Sequence, residues 1–198
     1  MDTVFNDIMN TKKSPDFSYR DTIFIIKSTV IPGTTQKYKD RYPHARIVFN
    51  PEFLTERSAN LDFINASRIV RDTSEVEKLY RSRFPHTKII QTDVYSSELI
   101  KYMCNCFFAT KVSFMNEMFL LSKKLGCDWD SVMDGFISDG RIGNSHLDVP
   151  GHDGDFGFGG KCFPKDLNAF IGTFEDNEID PLVLKAAWER NKSVRTDI

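Results

Sequence analysis

The sequence has 198 residues, of which 40% are hydrophobic and 27% are charged, with a net charge of −2 and a pI near 6.1. This composition is ordinary for a globular protein, and its balanced charge gives no reason to expect a nucleic acid or an anionic membrane as partner. No run approaches the ~20 apolar residues of a membrane span. Residues 1–17 include acidic side chains and no apolar h-region, which predicts no signal peptide and a cytoplasmic location.

Short β-branched runs alternate with helical segments in the first half of the chain. These runs predict four strands, at 22–30, 45–49, 67–70 and 87–90. Residues 73–84 have helical spacing, with Val76, Leu79 and Tyr80 on one face. The alternation is typical of a parallel sheet with crossover helices, and unrelated short strands in an α+β fold are the alternative. We expect an α/β fold with a first domain over residues 1–92.

From Asp93 onward the pattern becomes helical. Residues 93–125 contain no proline or glycine, and apolar side chains recur at steps of three and four. The apolar stripe of this helix consists of Leu99, Met103, Cys106, Phe107, Phe114, Met118 and Leu121. A helix of roughly 30 residues spans about 45 Å, which is long for a small domain. We therefore predict an all-α domain over residues 93–198, with a homodimer seam or an interdomain contact along the helix.

Three more helices and one loop follow the long helix. The segments 128–137, 164–176 and 180–194 have helical patterns, the first with Asp128 as N-cap and the others with proline near the first turn. Residues 138–160 contain seven glycines and little periodicity. This composition indicates either an ordered functional loop or a disordered one.

One of the four cysteines lies in an unusual setting. The cysteines stand at positions 104, 106, 127 and 162, without a Cys-x-x-Cys pair or a histidine at ligand spacing, so we do not expect zinc. We interpret the first three as core or helix-face thiols. Cys162 lies in "GFGGKCFPKD", between Lys161 and Lys165 and before a predicted helix. Cations and a helix N-terminus favour the nucleophilic thiolate, although a structural cysteine beside a turn is the alternative.

Five motifs, in order along the chain, resemble those of the UDP-glucose/GDP-mannose dehydrogenase family. They are "KSTVIPGT" (27–34), "FNPEFLTERSA" (49–59), "SSELIKYMCN" (96–105), "DGRIGNSHLDVPG" (139–151) and "GFGGKCFPKD" (157–166). The last is similar to the catalytic cysteine loop of the UDP-glucose 6-dehydrogenases. The resemblance implies a Rossmann-like NAD-binding domain and a central helical dimerisation domain. It also implies oxidation of the C6 alcohol of a nucleotide sugar to a carboxylate, with two NAD per turnover.

The resemblance also implies a role for individual residues. Cys162 would attack the C6 aldehyde to give a thiohemiacetal and then a thioester, and Glu52 would be the general acid/base of its hydrolysis. Lys101 and Asn105 would stabilise negative charge on the C6 oxygen. Taken alone, however, Glu52 is also compatible with an ordinary loop carboxylate. Lys101 and Asn105 are compatible with the solvated side of an amphipathic helix.

The remaining implied contacts concern substrate and cofactor. Asp166 and Thr29 match the pair that positions water or the reacting hydroxyl, and Thr29 is also compatible with the end of a strand. The implied substrate contacts are Phe53, Leu54, Glu56, Gly159 and Arg141, the last acting across a dimer interface. The implied NAD contacts are Thr29, Glu56 and Lys165.

The resemblance covers part of the family's chain. The sequence has no G-x-G-x-x-G turn after a strand, and the match begins near the middle of the N-terminal domain and lacks the C-terminal UDP-binding domain. We expect a truncated relative whose exposed sheet edge is covered by dimerisation or by a separate chain that supplies the missing domains.

Three functions stay open at this point. The first is NAD-dependent oxidation of UDP-glucose or a related nucleotide sugar, weak or dependent on a partner. The second is a non-catalytic dimerisation or regulatory module. The third, ranked lowest, is an unrelated thiol enzyme that uses His146 or His152 as base.

Overall fold

The structure is a computed structural model that describes residues 2–10 and 21–197. Its elements are α1 (Asp2–Asn10), β1 (Ile23–Ile26), α2 (Thr34–Arg41), β2 (Arg46–Phe49), α3 (Ala59–Ile64), β3 (Arg68–Arg71), α4 (Glu77–Arg83), β4 (Lys88–Gln91), α5 (Val94–Leu125), α6 (Trp129–Ile137), α7 (Phe163–Asp176) and α8 (Leu182–Val194). The predicted α/β class is confirmed. Residues 11–17, within the segment predicted to hold no signal peptide, lie outside the described residues.

The chain divides into two compact units, Met1–Ser97 and Glu98–Ile198. The first unit holds all four strands and the second holds most of α5 together with α6, α7 and α8. The predicted domain boundaries, 1–92 and 93–198, stay a prediction.

The strands of the first unit form two parallel pairs. β1 pairs with β2 and β3 with β4, in a register that aligns Ile26 with Phe49 and Arg71 with Gln91. Each of the four predicted runs therefore coincides with a four-residue strand. β1 and β2 are shorter than the predicted runs, whereas β3 and β4 have the predicted length and lie one residue further along the chain. β-Branched side chains at their centres, such as the fully buried Val70, suit a pleated surface packed by helices.

Side chains at the ends of β2 and β3 hold the two strand pairs side by side. Asn50 Nδ2 donates a hydrogen bond to Val70 O at 2.5 Å, and Phe49 N–H donates to Asp72 Oδ1 at 2.9 Å. Lys39 Nζ binds the other oxygen of Asp72 at 2.5 Å. Because parallel strands end at the same edge, the loops after β1 and β2 emerge together at the carboxyl edge of the sheet.

The segment predicted as one helix over 73–84 begins with a 3₁₀ turn at Ser74–Val76 and continues as α4. Val76 is buried, whereas Leu79, predicted on the same face, is 62% exposed. Tyr80 donates a hydrogen bond from its hydroxyl to Asn50 Oδ1.

α5 extends over 32 residues and supports the second unit. Its buried polar side chains are Ser97, Glu98, Lys101, Asn105, Ser113, Asn116 and Ser122. Of the predicted apolar stripe Cys106 is buried, whereas Met103 and Phe107 are 58% and 64% exposed. The polar side is buried because the rest of the unit supplies hydrogen-bond partners for it, as where Ser113 Oγ donates to Ala187 O at 2.7 Å.

Apolar residues from α5, α7 and α8 surround this polar face. Leu167 is fully buried and packs with Tyr102, Phe158 and Phe170, and Trp188 of α8 lies against the same cluster. The rings of Tyr102 and Phe170 stack with centroids 4.9 Å apart. The start of α7 is therefore held against α5 by a packed core.

The glycine-rich segment 138–160 is an ordered loop, which decides between the two alternatives that its composition left open. Lys111 Nζ of α5 donates to Ser145 O at 2.6 Å. Gly157 N–H donates to Asn116 Oδ1 at 3.1 Å. Hydrogen bonds from neighbouring helices thus take the place of secondary structure within the loop.

Two glycines of this loop allow a matched test of its packing. Gly157 and Gly160 have left-handed φ angles of +70° and +72°. A Cβ added at Gly157 would lie 2.3 Å from Asn191 Oδ1, and nothing lies within 4 Å of a Cβ added at Gly160. We expect Gly160→Ala to cost about 1 kcal/mol of unfolding free energy through backbone strain. Gly157→Ala should cost about 1–3 kcal/mol more through overpacking.

Urea unfolding of the two variants measures this difference. Equal losses of unfolding free energy would show that the Asn191 amide does not occupy the space beside Gly157.

Candidate active site

Cys162 lies at the N-cap position of α7 and is exposed. Pro164 occupies the first turn, where the missing N–H of proline costs no hydrogen bond. Asp166 N–H donates to Cys162 O at 2.8 Å and closes that turn. Cys162 therefore stands at the positive end of the helix macrodipole.

A buried polar cluster lies one helical turn further on. Asp166 is 1% exposed and accepts a 2.6 Å hydrogen bond from Asn105 Nδ2. The other carboxylate oxygen contacts the half-exposed Lys165. Lys101 is buried one turn before Asn105 on the same helix. Burial rules out the alternative that Lys101 and Asn105 form a solvated helix face.

The charge of Asp166 acts on two neighbouring side chains. Burial raises the pKa of Tyr102 to about 12, with smaller effects from Asp166, Cys106 and Glu98. Burial also raises the pKa of the Cys106 thiol to about 12, and Asp166 adds to that increase. Both groups therefore stay protonated at neutral pH, and Cys106 is no nucleophile.

These two raised pKa values predict a loss of stability in alkali. The folded chain holds the Cys106 proton to about pH 12, whereas the unfolded chain releases it near 9.0. The stabilisation is complete below pH 9 and is lost as the pH rises toward 12. We expect unfolding free energy to fall between pH 8.5 and 10.5 by up to about 1.4 kcal/mol per pH unit for each such group.

Urea unfolding at both pH values tests this expectation with Cys106→Ala. The variant should lose less stability between the two pH values than the unaltered chain. Cys127→Ala, which removes an exposed thiol, should match the unaltered chain. Equal slopes for all three proteins would show that Cys106 does not titrate with folding.

The first unit holds the predicted residues that follow β1 and β2. Thr29 and Glu52 lie on the loops at the carboxyl edge of the sheet, where α/β proteins bind ligands. Leu54 N–H donates to Glu52 Oε2 at 2.6 Å, which orients the carboxylate. The guanidinium of Arg68 lies 4.2 Å from the centroid of the Phe53 ring.

This edge fits one end of a nicotinamide dinucleotide in its chemistry. Thr29 supplies a hydroxyl and Glu52 a carboxylate, beside the backbone at the ends of parallel strands. Residues 27–34, which follow β1, do not contain the glycine spacing that binds a pyrophosphate. The residues present therefore fit the reactive end of the cofactor better than its phosphates.

Three further predicted residues have different surroundings. Arg141 is highly exposed and pairs with Asp139 at 2.5 Å. Glu56 belongs to a 3₁₀ turn, and its side chain lies outside the described part of the structure. A Cβ added at Gly159 would lie 2.3 Å from Nη2 of the Arg195 guanidinium. No described residue lies so close to the Cβ position of Gly160.

The sequence analysis did not predict several polar side chains that bind the cysteine loop. They are Lys111, Asn116, Asn191 and Arg195, each hydrogen-bonded to the loop backbone or its side chains. Each of these four hydrogen bonds joins residues that are 33 to 42 positions apart in the sequence. No local motif signals such contacts.

The chain thus contains a unit with parallel strand pairs and a helical unit that holds Cys162 and the buried Lys101, Asn105 and Asp166. The chain belongs to the UDP-glucose/GDP-mannose dehydrogenase family, whose central domain matches residues 95–193 and whose NAD binding domain matches residues 4–84. The predicted family is confirmed, and at the level of the family so is NAD as cofactor.

Individual relatives agree with this assignment. The chain is 39% identical over 182 residues to a UDP-glucose 6-dehydrogenase of Rickettsia conorii, covering 87% of this chain and 41% of the relative. It is 37% identical over 188 residues to one of Bacillus subtilis, with 88% and 41% covered. A solved UDP-glucose dehydrogenase of Pyrobaculum islandicum has a TM-score of 0.75 at 34% identity, with 86% of this chain and 41% of that chain covered.

The chain thus spans about 41% of the length of these relatives. Within residues 2–10 and 21–197, no helix is long and apolar enough to cross a membrane. No group of three or more His, Cys, Asp or Glu side chains in the same ranges is arranged to hold a metal ion.

Proposed function

We propose that this chain carries the reaction centre of an NAD-dependent dehydrogenase that oxidises the C6 alcohol of UDP-glucose, or of a related nucleotide sugar, to the carboxylate. The observation that supports this most is the buried cluster of Lys101, Asn105 and Asp166 at the first turn of the helix that begins at Cys162. A surface cysteine without a chemical role would not require buried polar groups at this position, because their burial is costly.

Cys162 is the nucleophile in this proposal. Its thiolate adds to the C6 aldehyde carbon and forms a C–S bond. The carbonyl oxygen takes up the electron pair of the C=O π bond and a proton, which gives the thiohemiacetal hydroxyl. The hydride acceptor in each of the two oxidations would be NAD when it is bound. The second oxidation removes the hydride and the hydroxyl proton of the thiohemiacetal and leaves a thioester. Water then adds, the C–S bond breaks, and the carboxylate and the thiol are released.

The buried cluster supplies the electrostatics. Asn105 has two N–H donors, of which one binds Asp166. The second N–H and the Lys101 ammonium are the groups we assign to the negative charge that develops on the C6 oxygen. Asp166 keeps the Asn105 amide oriented and positions a hydroxyl or water.

The other assigned roles come from the family resemblance. In the first unit, Glu52 is the general acid/base for hydrolysis and Thr29 contacts the reacting hydroxyl and NAD. Phe53, Leu54, Glu56, Gly159 and Arg141 are the proposed substrate contacts. Glu56 and Lys165 are the further NAD contacts.

Purified chain mixed with UDP-glucose and NAD tests this function. We expect NADH release with two NADH per carboxylate formed, measured by absorbance at about 340 nm and by product analysis. Because the chain spans about 41% of its relatives, the rate is expected to be low. Absence of turnover by the folded chain would favour the second candidate.

The second candidate is a non-catalytic association module, with a second copy of this chain as partner. The exposed apolar side chains along α5 favour it, because Met103, Phe107, Phe114 and Leu121 are each 47–64% exposed. Single exposed apolar residues are normal on a monomer, whereas several along one helix are typical of an interaction surface. A homodimer along α5 is also compatible with the enzyme function. A separate chain that carries the parts of the relatives not covered by this sequence is the alternative partner, and a cytoplasmic location stays a prediction.

Sedimentation velocity of the purified chain measures this association. We expect a dimer that is lost when Met103 and Phe107 are both replaced by glutamate, because two charges would then be buried at the interface. A monomer at tens of micromolar would contradict the homodimer.

A further inference from the structure

The backbone that leads into Cys162 is bound by a side chain from α8. Asn191 Oδ1 accepts a hydrogen bond from Phe158 N–H at 2.7 Å, and Asn191 Nδ2 donates to Phe158 O at 2.9 Å. The amide therefore pairs with both backbone groups of one residue, as a neighbouring strand would in a sheet. Asn191 is fully buried, so no solvent competes for these bonds.

Asn116 of α5 holds the preceding residue. Its Oδ1 accepts from Gly157 N–H at 3.1 Å, while its Nδ2 donates to Val112 O of its own helix at 2.9 Å. The second bond fixes the orientation of the amide and directs Oδ1 toward the loop. Asn116 is 1% exposed. Two buried amides from different helices thus bind consecutive peptide groups.

The glycines of the loop admit these side chains. A Cβ at Gly157 would lie 2.3 Å from Asn191 Oδ1, and one at Gly159 would lie 2.3 Å from Arg195 Nη2. Arg195 also donates to Asp153 Oδ2 at 2.8 Å. At both positions the space that a side chain would need is filled by a group from the C-terminal part of the same unit.

Phe158 links this arrangement to the cysteine. Its ring is 4% exposed and packs in the core cluster with Leu167 of α7. The ring of Phe163, the residue after Cys162, meets it edge to face with centroids 6.1 Å apart. With its backbone held by Asn191 and its ring held in the core, Phe158 is immobilised four residues before Cys162.

We propose that Asn191 is a positioning residue for Cys162, acting through the Phe158 backbone to hold the thiol at the N-terminus of α7. Asn116 assists by binding Gly157. The role of the thiol rests on the proposed function, whereas its placement rests on the hydrogen bonds above. Loss of the Asn191 amide leaves a buried N–H and C=O without partners, which costs enough for the loop to leave this path.

Thiol alkylation measures the placement without requiring turnover. Purified chain is treated with iodoacetamide, and mass spectrometry gives separate alkylation rates for Cys162 and for the exposed Cys127, which serves as internal standard. Because Asn191→Ala removes the hydrogen bonds that hold the backbone before Cys162, we expect it to lower the ratio of the Cys162 rate to the Cys127 rate at least fivefold. A ratio that stays within twofold, or rises, overturns the proposal.

A matched control separates placement from stability. Ala187 is buried on the same helix one turn earlier, and Ala187→Gly destabilises a helix by about 1 kcal/mol. This variant should lower the melting temperature and leave the rate ratio unchanged. An equal decrease of the ratio in Ala187→Gly would assign the effect to stability and would also overturn the proposal.

Two further variants keep the test decisive if Asn191→Ala does not fold. Asn191→Asp retains the acceptor for Phe158 N–H and replaces the donor to Phe158 O, and should lower the ratio to an intermediate value. Asn116→Ala removes the acceptor of Gly157 N–H and should act in the same direction. Protection of Cys162 by UDP-glucose, measured in the same assay, tests the proposed function separately, so that either idea can fail while the other holds.

Discussion

Replacing Cys162 by alanine is expected to lower formation of the carboxylate product at least about a thousandfold, because in the proposed mechanism the second oxidation passes through a carbon–sulfur bond to this residue. The first oxidation does not need that bond. The variant should therefore release an amount of NADH that is matched by the C6 aldehyde, with no acid. Product analysis after incubation with UDP-glucose and NAD distinguishes the two compounds.

Cys127→Ala is the matched control for this variant. It removes an equally small and exposed thiol outside the cysteine loop, and its product ratio should equal that of the unaltered chain. Acid formation by Cys162→Ala at an unchanged rate would exclude the covalent mechanism while leaving the family assignment intact.

The second large effect is expected for the stability of Asp166→Ala. Asp166 is 1% exposed, and its loss leaves the buried Asn105 Nδ2 without its 2.6 Å acceptor. Leaving a buried donor without its partner costs about 1–3 kcal/mol. At roughly 2–4 °C per kcal/mol for a chain of this size, we expect the melting temperature to fall by about 2–12 °C.

Circular dichroism at the helix minimum follows this transition. Asp166→Asn keeps the shape and one acceptor, and should lose less stability than alanine. Asp139→Ala removes an exposed carboxylate whose partner, Arg141, is also exposed, and it should leave the melting temperature unchanged. A similarly small effect of Asp166→Ala would show that the carboxylate is solvated in the folded chain.

The pattern of the sequence predicted the elements well because their causes are local. Four β-branched runs became strands, and a stretch without proline or glycine became α5. α1 and α3 were missed, since their short segments carry no clear period. The lengths of β1 and β2 were overestimated because β-branched content does not show where backbone pairing stops.

Which face of α5 is buried could not be predicted from the period alone. The side that carries Lys101 and Asn105 is buried because Asp166, 61 positions after Asn105, supplies a partner for the amide. In the same way, the glycine content of the cysteine loop predicted close approach but could not identify Asn191 and Arg195 as the groups that approach. These contacts depend on tertiary packing, whereas Cys162 itself was evident from its flanking lysines and glycines.

The close contact between Asn191 and Gly157 constrains how the two positions can change in evolution. A side chain larger than hydrogen at 157 requires a smaller one at 191, and the loss of the amide then leaves Phe158 without its hydrogen bonds. Intermediates with only one of the two changes are unfavourable. Substitutions at positions 157 and 191 should therefore occur together or not at all, although the two positions are far apart in the sequence.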